Sequence, residues 1–356
     1  MRTLIRPTGF VDSPFGHDGK VARLAGGLNW FSAAELIAVD GNRRTSTELV
    51  PVAGIEERFD DALAAQWSAL TSSRAPLQLG ERTVRLDQPQ VMGIVNATPD
   101  SFSDGGQFAD TASAAEAGAR MAAEGAAIID VGGESTRPDA RSVWEGDEIE
   151  RIAPVIRQLS AGGVAVSADT RKADVMTAAV QAGARLINDV SALTYDDRSA
   201  EVAATLNVPV VLMHHKGAPE VMQDDPRYDD VLVEIYLWLE TRIAAAVDAG
   251  IPRDRILIDP GFGFGKNVGH NLELMNGLGL FHSLGCPLVL GASRKRTIGA
   301  LSNEAPADRR LAGSIAFALK AVEQGAQIIR VHDVPETVQA LKIWRGLRDQ
   351  ALTPRP

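Results

Sequence analysis

From residue 91 onward the chain alternates two patterns. Short runs that are apolar through most of their length occur at 91–95, 127–131, 164–168, 185–188, 208–213, 256–259, 287–291 and 327–331. Between them lie Ala-rich stretches with apolar residues at helical spacing, at 111–125, 145–160, 171–182, 197–206, 227–249, 270–283, 307–324 and 335–350. Near-continuous apolar strands are what a parallel sheet covered on both faces requires. Eight strand–helix units over about 250 residues predict an α/β fold, a (β/α)8 TIM barrel. An open doubly wound sheet is the alternative. No glycine-rich dinucleotide turn follows the first strand, which counts against it, and Gly261-Phe262-Gly263-Phe264-Gly265 has the wrong spacing for that turn.

Upstream of the barrel the pattern changes to period two. Leu77-Gln78-Leu79 and Thr83-Val84-Arg85-Leu86 flank Gly80-Glu81, a two-residue turn. The resulting N-terminal β-hairpin is expected to plug the N-terminal end of the barrel, within a barrel domain of residues 76–356. Residues 1–75 form an additional N-terminal extension. Within it, 55–70 reads as an amphipathic helix with Phe59, Leu63 and Trp67 on one face. Trp30 and Phe31 argue for a folded segment and against a disordered tail. The extension carries no catalytic constellation and is expected to fold against the barrel or a partner subunit.

Polar groups gather at the predicted strand ends. Strand one ends at Asn96, and a loop rich in Thr, Pro, Asp, Ser and Gly follows. Strand two leads through Asp130 to Gly132-Gly133-Glu134-Ser135-Thr136-Arg137-Pro138. The next four end at Asp169-Thr170, Asn188-Asp189, Met213-His214-His215-Lys216 and Asp259-Pro260-Gly261. The last two end at Ser293-Arg294-Lys295 and Arg330-Val331-His332-Asp333. A single Asp at a strand end is commonly a helix N-cap, and Asp189 and Asp333 fit that bland reading. Eight polar strand ends facing one mouth exceed what caps explain, because active sites of such barrels are built at that face. Arg137, Lys295, Arg330 and His332 are donors able to hold phosphate oxygens. Asn96 and Thr136 could add a magnesium ligand and a phosphate contact. Asp169, Asn188 and Asp259 can read the donors and acceptors of a flat heterocycle, and Met213 and Phe264 offer apolar surface. Zinc is disfavoured, since adjacent His214 and His215 on a strand point to opposite faces.

Bulk properties narrow the partners. The net charge of −10 over 356 residues argues against nucleic acid or an anionic membrane. No apolar run approaches the roughly 18 residues of a membrane span, and Arg2 and Arg6 are not followed by a signal-peptide core. A single cysteine, Cys286, gives no disulfide framework and reads as a small buried hydrophobe. The protein is read as cytoplasmic.

Five segments in this order resemble one family. They are Asn96-Ala97-Thr98-Pro99-Asp100-Ser101-Phe102-Ser103-Asp104-Gly105-Gly106, Gly132 to Pro138, Asp259 to Phe264, Ser293-Arg294-Lys295 and Arg330-Val331-His332. Together they resemble dihydropteroate synthase across about residues 76–350. The resemblance implies condensation of 6-hydroxymethyl-7,8-dihydropterin diphosphate with p-aminobenzoate, giving 7,8-dihydropteroate and diphosphate for folate biosynthesis. It implies Asp169, Lys295, Arg330 and His332 as the catalytic set. Asp169, Asn188, Met213, Asp259, Phe264, Gly291, Lys295 and Arg330 would hold the pterin. Asn96, Thr136, Arg137 and His332 would hold the diphosphate, with Asn96 also on Mg2+. Phe102, Arg137, Pro138 and Lys295 would bind p-aminobenzoate. A homodimer through the last helices is also implied. Ala97, Asp139, His215 and Arg296 depart from the family's usual residues. A related pterin-binding methyltransferase would have no use for a diphosphate site, so Thr136-Arg137-Pro138 and Arg330-Val331-His332 argue against it.

Overall fold

The computed structural model describes residues 2–97, 106–134, 143–217 and 225–353, with the main chain alone for 106–110. In chain order the strands are β1 (Arg2–Val11), β2 (Ala22–Arg23), β3 (Trp30–Asp40), β4 (Arg43–Pro51), β5 (Leu77–Leu79), β6 (Arg82–Val84), β7 (Gln90–Asn96), β8 (Ile128–Gly132), β9 (Val166–Asp169), β10 (Leu186–Asp189), β11 (Val210–Met213), β12 (Ile256–Asp259), β13 (Val289–Leu290) and β14 (Ile328–Val331). The helices are α1 (Asp61–Thr71), α2 (Gly106–Ala123), α3 (Glu145–Ala161), α4 (Ala173–Ala182), α5 (Ser199–Leu206), α6 (Val231–Asp248), α7 (Val268–Gly277), α8 (Arg296–Leu301), α9 (Leu311–Glu323) and α10 (Val334–Ala351).

Strands β7 to β14 form one parallel sheet in the order β12-β11-β10-β9-β8-β7-β14-β13. A bridge between Ile258 and Leu288 joins its two ends and closes the barrel. All eight strands lie where the apolar runs place them, with ends displaced by at most a few residues. The (β/α)8 reading is therefore correct. The hairpin also forms as expected, with Gly80 at φ 68° in its turn. Leu77, Leu79, Val84 and Leu86 pack against Met92, Ile128, Ala165, Leu186, Val211, Leu257, Val289 and Ile328. These are residues near the starts of the barrel strands, so the hairpin closes the end opposite the strand termini that carry the polar groups.

The helix expectations need three corrections. The stretch at 55–70 is a 3-10 turn, Ile55–Arg58, followed by α1. Asp60 separates them because its side chain accepts from Leu63 N and starts a new helix. The stretch at 270–283 stops as an α-helix at Gly277 and continues as the 3-10 segment Leu278–Leu284. A Cβ on Gly277 would lie 2.3 Å from Leu232 Cδ1, so α6 sits too close for any other residue there. The stretch at 307–324 opens with a 3-10 turn, Ala307–Arg309, before α9. Helix α8 was not foreseen.

The extension is an antiparallel sheet carrying α1 on one face. Strand β3 is central, paired with β1 on one edge and with β2 and β4 on the other. Period-two alternation divides its residues. Ile5, Ala34, Leu36 and Val50 pack with Ile55 and Leu63, against Phe59 and Trp67. Leu4, Ile37 and Val39 turn the other way and join the main barrel core. Polar ties fasten the extension to the barrel's outer layer: Asn29 Nδ2 donates to Val322 O (2.6 Å), Arg74 Nη2 to His282 O (2.9 Å) and Arg44 Nε to Asp230 (2.9 Å). Cys286 is buried and burial pushes its thiol up to about 11, as the bland reading requires.

Candidate active site

Strand register brings the polar ends together. Asn188 lies beside Asp169, and Asp169 beside Gly132, across adjacent ladders, while Asp259 lies beside Met213. Arg330 rises from β14 and ties this row together. Its Nε donates to Asp130 Oδ2 and its Nη2 to Asp169 Oδ2, both at 2.6 Å. Asn188 Nδ2 donates to the same Asp130 oxygen at 3.0 Å. Asp130 is fully buried and its Oδ1 has no partner among the described residues.

The second half of the mouth is cationic and apolar. Lys295, the residue before α8, donates from Nζ to Phe262 O, and its Nζ lies 4.5 Å from the centre of the Phe264 ring. Asp259 Oδ1 accepts from Gly261 N at 2.7 Å. Met213 is buried at the end of β11, and Gly291 is buried beyond β13 with Arg330 Cβ 3.6 Å from where its own Cβ would stand. Ser293 Oγ joins the loop before α8 to His332, lying 3.0 Å from Nδ1 and accepting from His332 N at 3.2 Å.

Burial controls the charges. It pushes the Asp169 carboxyl up to about 7 against the pull of Arg330. It raises Asp259 despite Lys295 and the Gly261 N–H, and it lowers Lys295 to about 8 despite Asp259. For Arg330 burial opposes the charge, but Asp130 and Asp169 outweigh it and hold the guanidinium firmly protonated. The result is a flat cationic plane beside Asp169, whose carboxyl titrates near neutral pH, and across the mouth from Asp259, which burial also raises. Such a row suits a ring that presents adjacent N–H and amino donors.

Asn96, Asp169, Asn188, Met213, Asp259, Phe264, Gly291, Lys295, Arg330 and His332 all occupy the C-terminal end of the barrel, on strand ends or the loops directly after them. Phe102, Thr136, Arg137 and Pro138 lie outside the described residues, as does Asp139. The reading of Asp189 as a helix cap is corrected, while Asp333 does occupy the N-cap position of α10, without a side-chain cap bond. Asp189 accepts from Ser191 N, Ser191 Oγ and Leu193 N, bracing its own loop. Asp333 stands at the start of α10 but pairs with Arg294, which is held at φ 58°.

A scan against family models matches residues 92–332 to the pterin binding enzymes. Dihydropteroate synthase of Escherichia coli (strain K12) is 46% identical over 259 residues, covering 72% of this chain and 91% of the relative. The chain belongs to the dihydropteroate synthase family. Among solved structures, a Xanthomonas albilineans dihydropteroate synthase with 4-aminobenzoic acid superimposes with a TM-score of 0.74 at 47% identity. It covers 79% of this chain and 100% of its own. A structure of the Xanthomonas albilineans enzyme with 7,8-dihydropteroate gives a TM-score of 0.71 at 45% identity, covering 78% of this chain and 100% of its own. The match to the pterin binding enzymes begins at residue 92, so the extension lies outside it.

Three features of this dihydropteroate synthase scaffold escaped the sequence reading. Asp130 is the first: an acidic residue inside an apolar strand is the signal for an inward-facing group, and here it anchors Arg330 and Asn188. Lys172 is buried and joins three groups: its Nζ donates to Glu134 Oε1 (3.1 Å), Glu148 Oε2 (2.6 Å) and Val143 O (2.6 Å). Glu134 also accepts from Arg171 and from Val143 N. Lys266, buried behind the 261–265 loop, is the third. Residues 134, 143, 148 and 172 are far apart in sequence, so no local spacing reveals the knot. Lys172→Met should destabilise the fold by about 3–5 kcal/mol, because the buried Glu148 loses its cation while Glu134 keeps only Arg171. Thermal melting checks this, and a variant that melts with the wild type would refute it.

Proposed function

We propose that this protein condenses 6-hydroxymethyl-7,8-dihydropterin diphosphate with p-aminobenzoate, yielding 7,8-dihydropteroate and diphosphate. The observation that carries the proposal is the Asp130–Arg330–Asp169 row with Asn188, facing Asp259 and Lys295 in the barrel mouth. Asp169, Asn188 and Asp259 read the donor edge of the pterin. Arg330 lies along the ring face, and Lys295, Met213, Phe264 and Gly291 complete the pocket. A dihydropterin is electron-rich, so positive charge on the carbon that loses diphosphate is delocalised, and the nearby carboxylates stabilise it. The arylamine is already neutral at pH 7 and attacks without a strong general base. Its ammonium proton is then lost to solvent or to the departing diphosphate. His332, Asn96, Thr136 and Arg137 take the diphosphate, and Phe102, Pro138, Arg137 and Lys295 the aminobenzoate.

The residues present fit Mg2+. Asn96 ends β7 half-buried, and its carboxamide bonds no other described residue. Among the described residues no group of three His, Cys, Asp or Glu gathers as an all-protein metal site. One neutral protein oxygen combined with phosphate oxygens is a donor set suited to Mg2+, which would neutralise charge on the diphosphate. No described helix is long and apolar enough to cross a membrane. A cytoplasmic homodimer accords with the buried thiol and with the outer face of α10, where Ile343 is 66% and Leu347 69% exposed. Sedimentation analysis tests the dimer.

Release of diphosphate that requires both substrates tests the reaction. Release without p-aminobenzoate, or none with both, would overturn it. The titrations add a pH signature. Asp169 is ionised only above about 7 and Lys295 charged only below about 8. Pterin affinity should therefore fall as pH drops through the first value and again as it rises through the second. Calorimetry from pH 5.5 to 9.5 should trace this bell, and Asp169→Asn should weaken its acid limb, leaving the part due to Asp259, which burial also raises.

A further inference from the structure

Lys266 is a buried cation behind the pterin-facing loop to which the proposed reaction assigns no part, and unlike Lys172 it has no carboxylate partner among the described residues. It follows the loop Gly261-Phe262-Gly263-Phe264-Gly265 and is 2% exposed. Its ammonium group has three acceptors: His214 Nδ1 at 2.9 Å, Gly261 O at 2.9 Å and Phe264 O at 3.0 Å. Three N–H donors thus meet three neutral acceptors. No carboxylate lies within ion-pair distance among the described residues. A methionine of similar length would fill the volume without the desolvation a charge incurs, so stability alone does not account for a lysine here.

The loop explains the choice. Gly261, Gly263 and Gly265 all have positive φ (69°, 83° and 60°), which turns the backbone back on itself. A Cβ on Gly261 would lie 1.7 Å from His214 O, so the loop is pressed against the end of β11. Side chains hold four of the polar groups along it, and Phe264 N closes back on Gly261 O at 3.1 Å. Lys266 holds the 261 and 264 carbonyls, Lys295 the 262 carbonyl, and Asn271 Oδ1 accepts from Gly263 N at 2.7 Å. Gly261 is the link to the site, because the residue that gives its carbonyl to Lys266 gives its N–H to Asp259. Phe264, at the other end of the grip, stacks near Lys295. His214 must be neutral to accept, and its burial and the neighbouring ammonium both depress its pKa.

We propose that Lys266 is a positioning residue for pterin recognition: gripping the 261 and 264 carbonyls, it fixes Asp259 and Phe264 in the geometry that receives the ring. The lysine touches no substrate and acts through the loop. Burial pulls the Lys266 amine well below the usual lysine range, and Asp259 draws it back toward the charged form. The inference rests on the pterin roles of Asp259 and Phe264 given above.

The test is Lys266→Met, with 6-hydroxymethylpterin as the probe in calorimetry well below the melting temperature. Pterin affinity should fall about tenfold or more, the size expected when a charge-assisted contact to a buried acceptor is lost. The KM for p-aminobenzoate at saturating pterin diphosphate should stay within about twofold, since that ring sits on other loops. Unchanged pterin affinity, or equal losses for both substrates, would overturn the proposal. A purely structural lysine would lower the melting temperature while sparing pterin affinity in the folded protein. If Lys266→Met does not fold, His214→Phe removes one acceptor and leaves the lysine. It should weaken pterin binding about threefold, and an unchanged affinity there counts against the proposal equally. Wild-type protein that fails to bind the pterin would overturn the functional reading itself, which separates the two failures.

Discussion

Arg330→Met is expected to abolish pterin binding and to destabilise the protein at the same time. The guanidinium is the shared partner of Asp130 and Asp169, at 2.6 Å from each. Asp130 is wholly buried and already has one oxygen without a partner among the described residues. Removing the cation leaves two carboxylates in a low-dielectric interior, at a cost of about 3–5 kcal/mol. The Asp169 carboxyl, already pushed up to about 7 by burial, should then rise further above its unfolded value. Protonation favours the folded state in that case, so the deficit should shrink as pH falls and grow as pH rises. Melting curves at pH 5 and pH 8 check the sign. Arg330→Lys should be intermediate, because a point charge cannot bridge both carboxylates as the planar fork does. A methionine variant that melts like wild type at pH 8 and still binds pterin would refute this account of the site.

Deletion of residues 1–75 should destabilise the molecule most of all. Residues Leu278, Leu280, Phe281 and Leu284 are buried, and they share one core with Leu4, Ile37 and Val39 of the extension sheet. Uncovering side chains of this kind costs about 1.5–3 kcal/mol each, and the truncated chain would expose them as one patch. The expected outcome is an insoluble protein, or a soluble one with a melting temperature at least 10 °C lower, on the usual scale of degrees per kcal/mol for a domain of this size. Turnover per surviving folded molecule should change little, because the extension packs on the barrel's outer layer. A truncation that is stable but inactive would show that the extension serves catalysis.

The barrel was legible because each of its strands is buried on both faces and so is apolar almost throughout. The hairpin was legible because Gly80 marks its turn. The extension sheet was not, since its strands carry polar residues on exposed positions and its long hairpin pairs residues 33 and 51 across an intervening turn. The break in the helix at Gly277 was hidden for a related reason. Gly277 alone does not mark a helix end, and the need for glycine there comes from the approach of Leu232 on α6.

For the site, sequence alone determined which polar residues end which strands, and a parallel barrel then obliges all of those ends to open at one mouth. It determined the family too, through five signatures in order. Only the tertiary structure decided who pairs with whom. The bonds from Arg330 to Asp130 and Asp169 cross 200 and 161 residues of chain, and the grip of Lys266 on His214 crosses 52. Local patterning encodes which face a residue occupies, because backbone periodicity sets it. The partner of a buried charge is set by barrel closure and strand register, which are properties of the whole sheet and of no single segment.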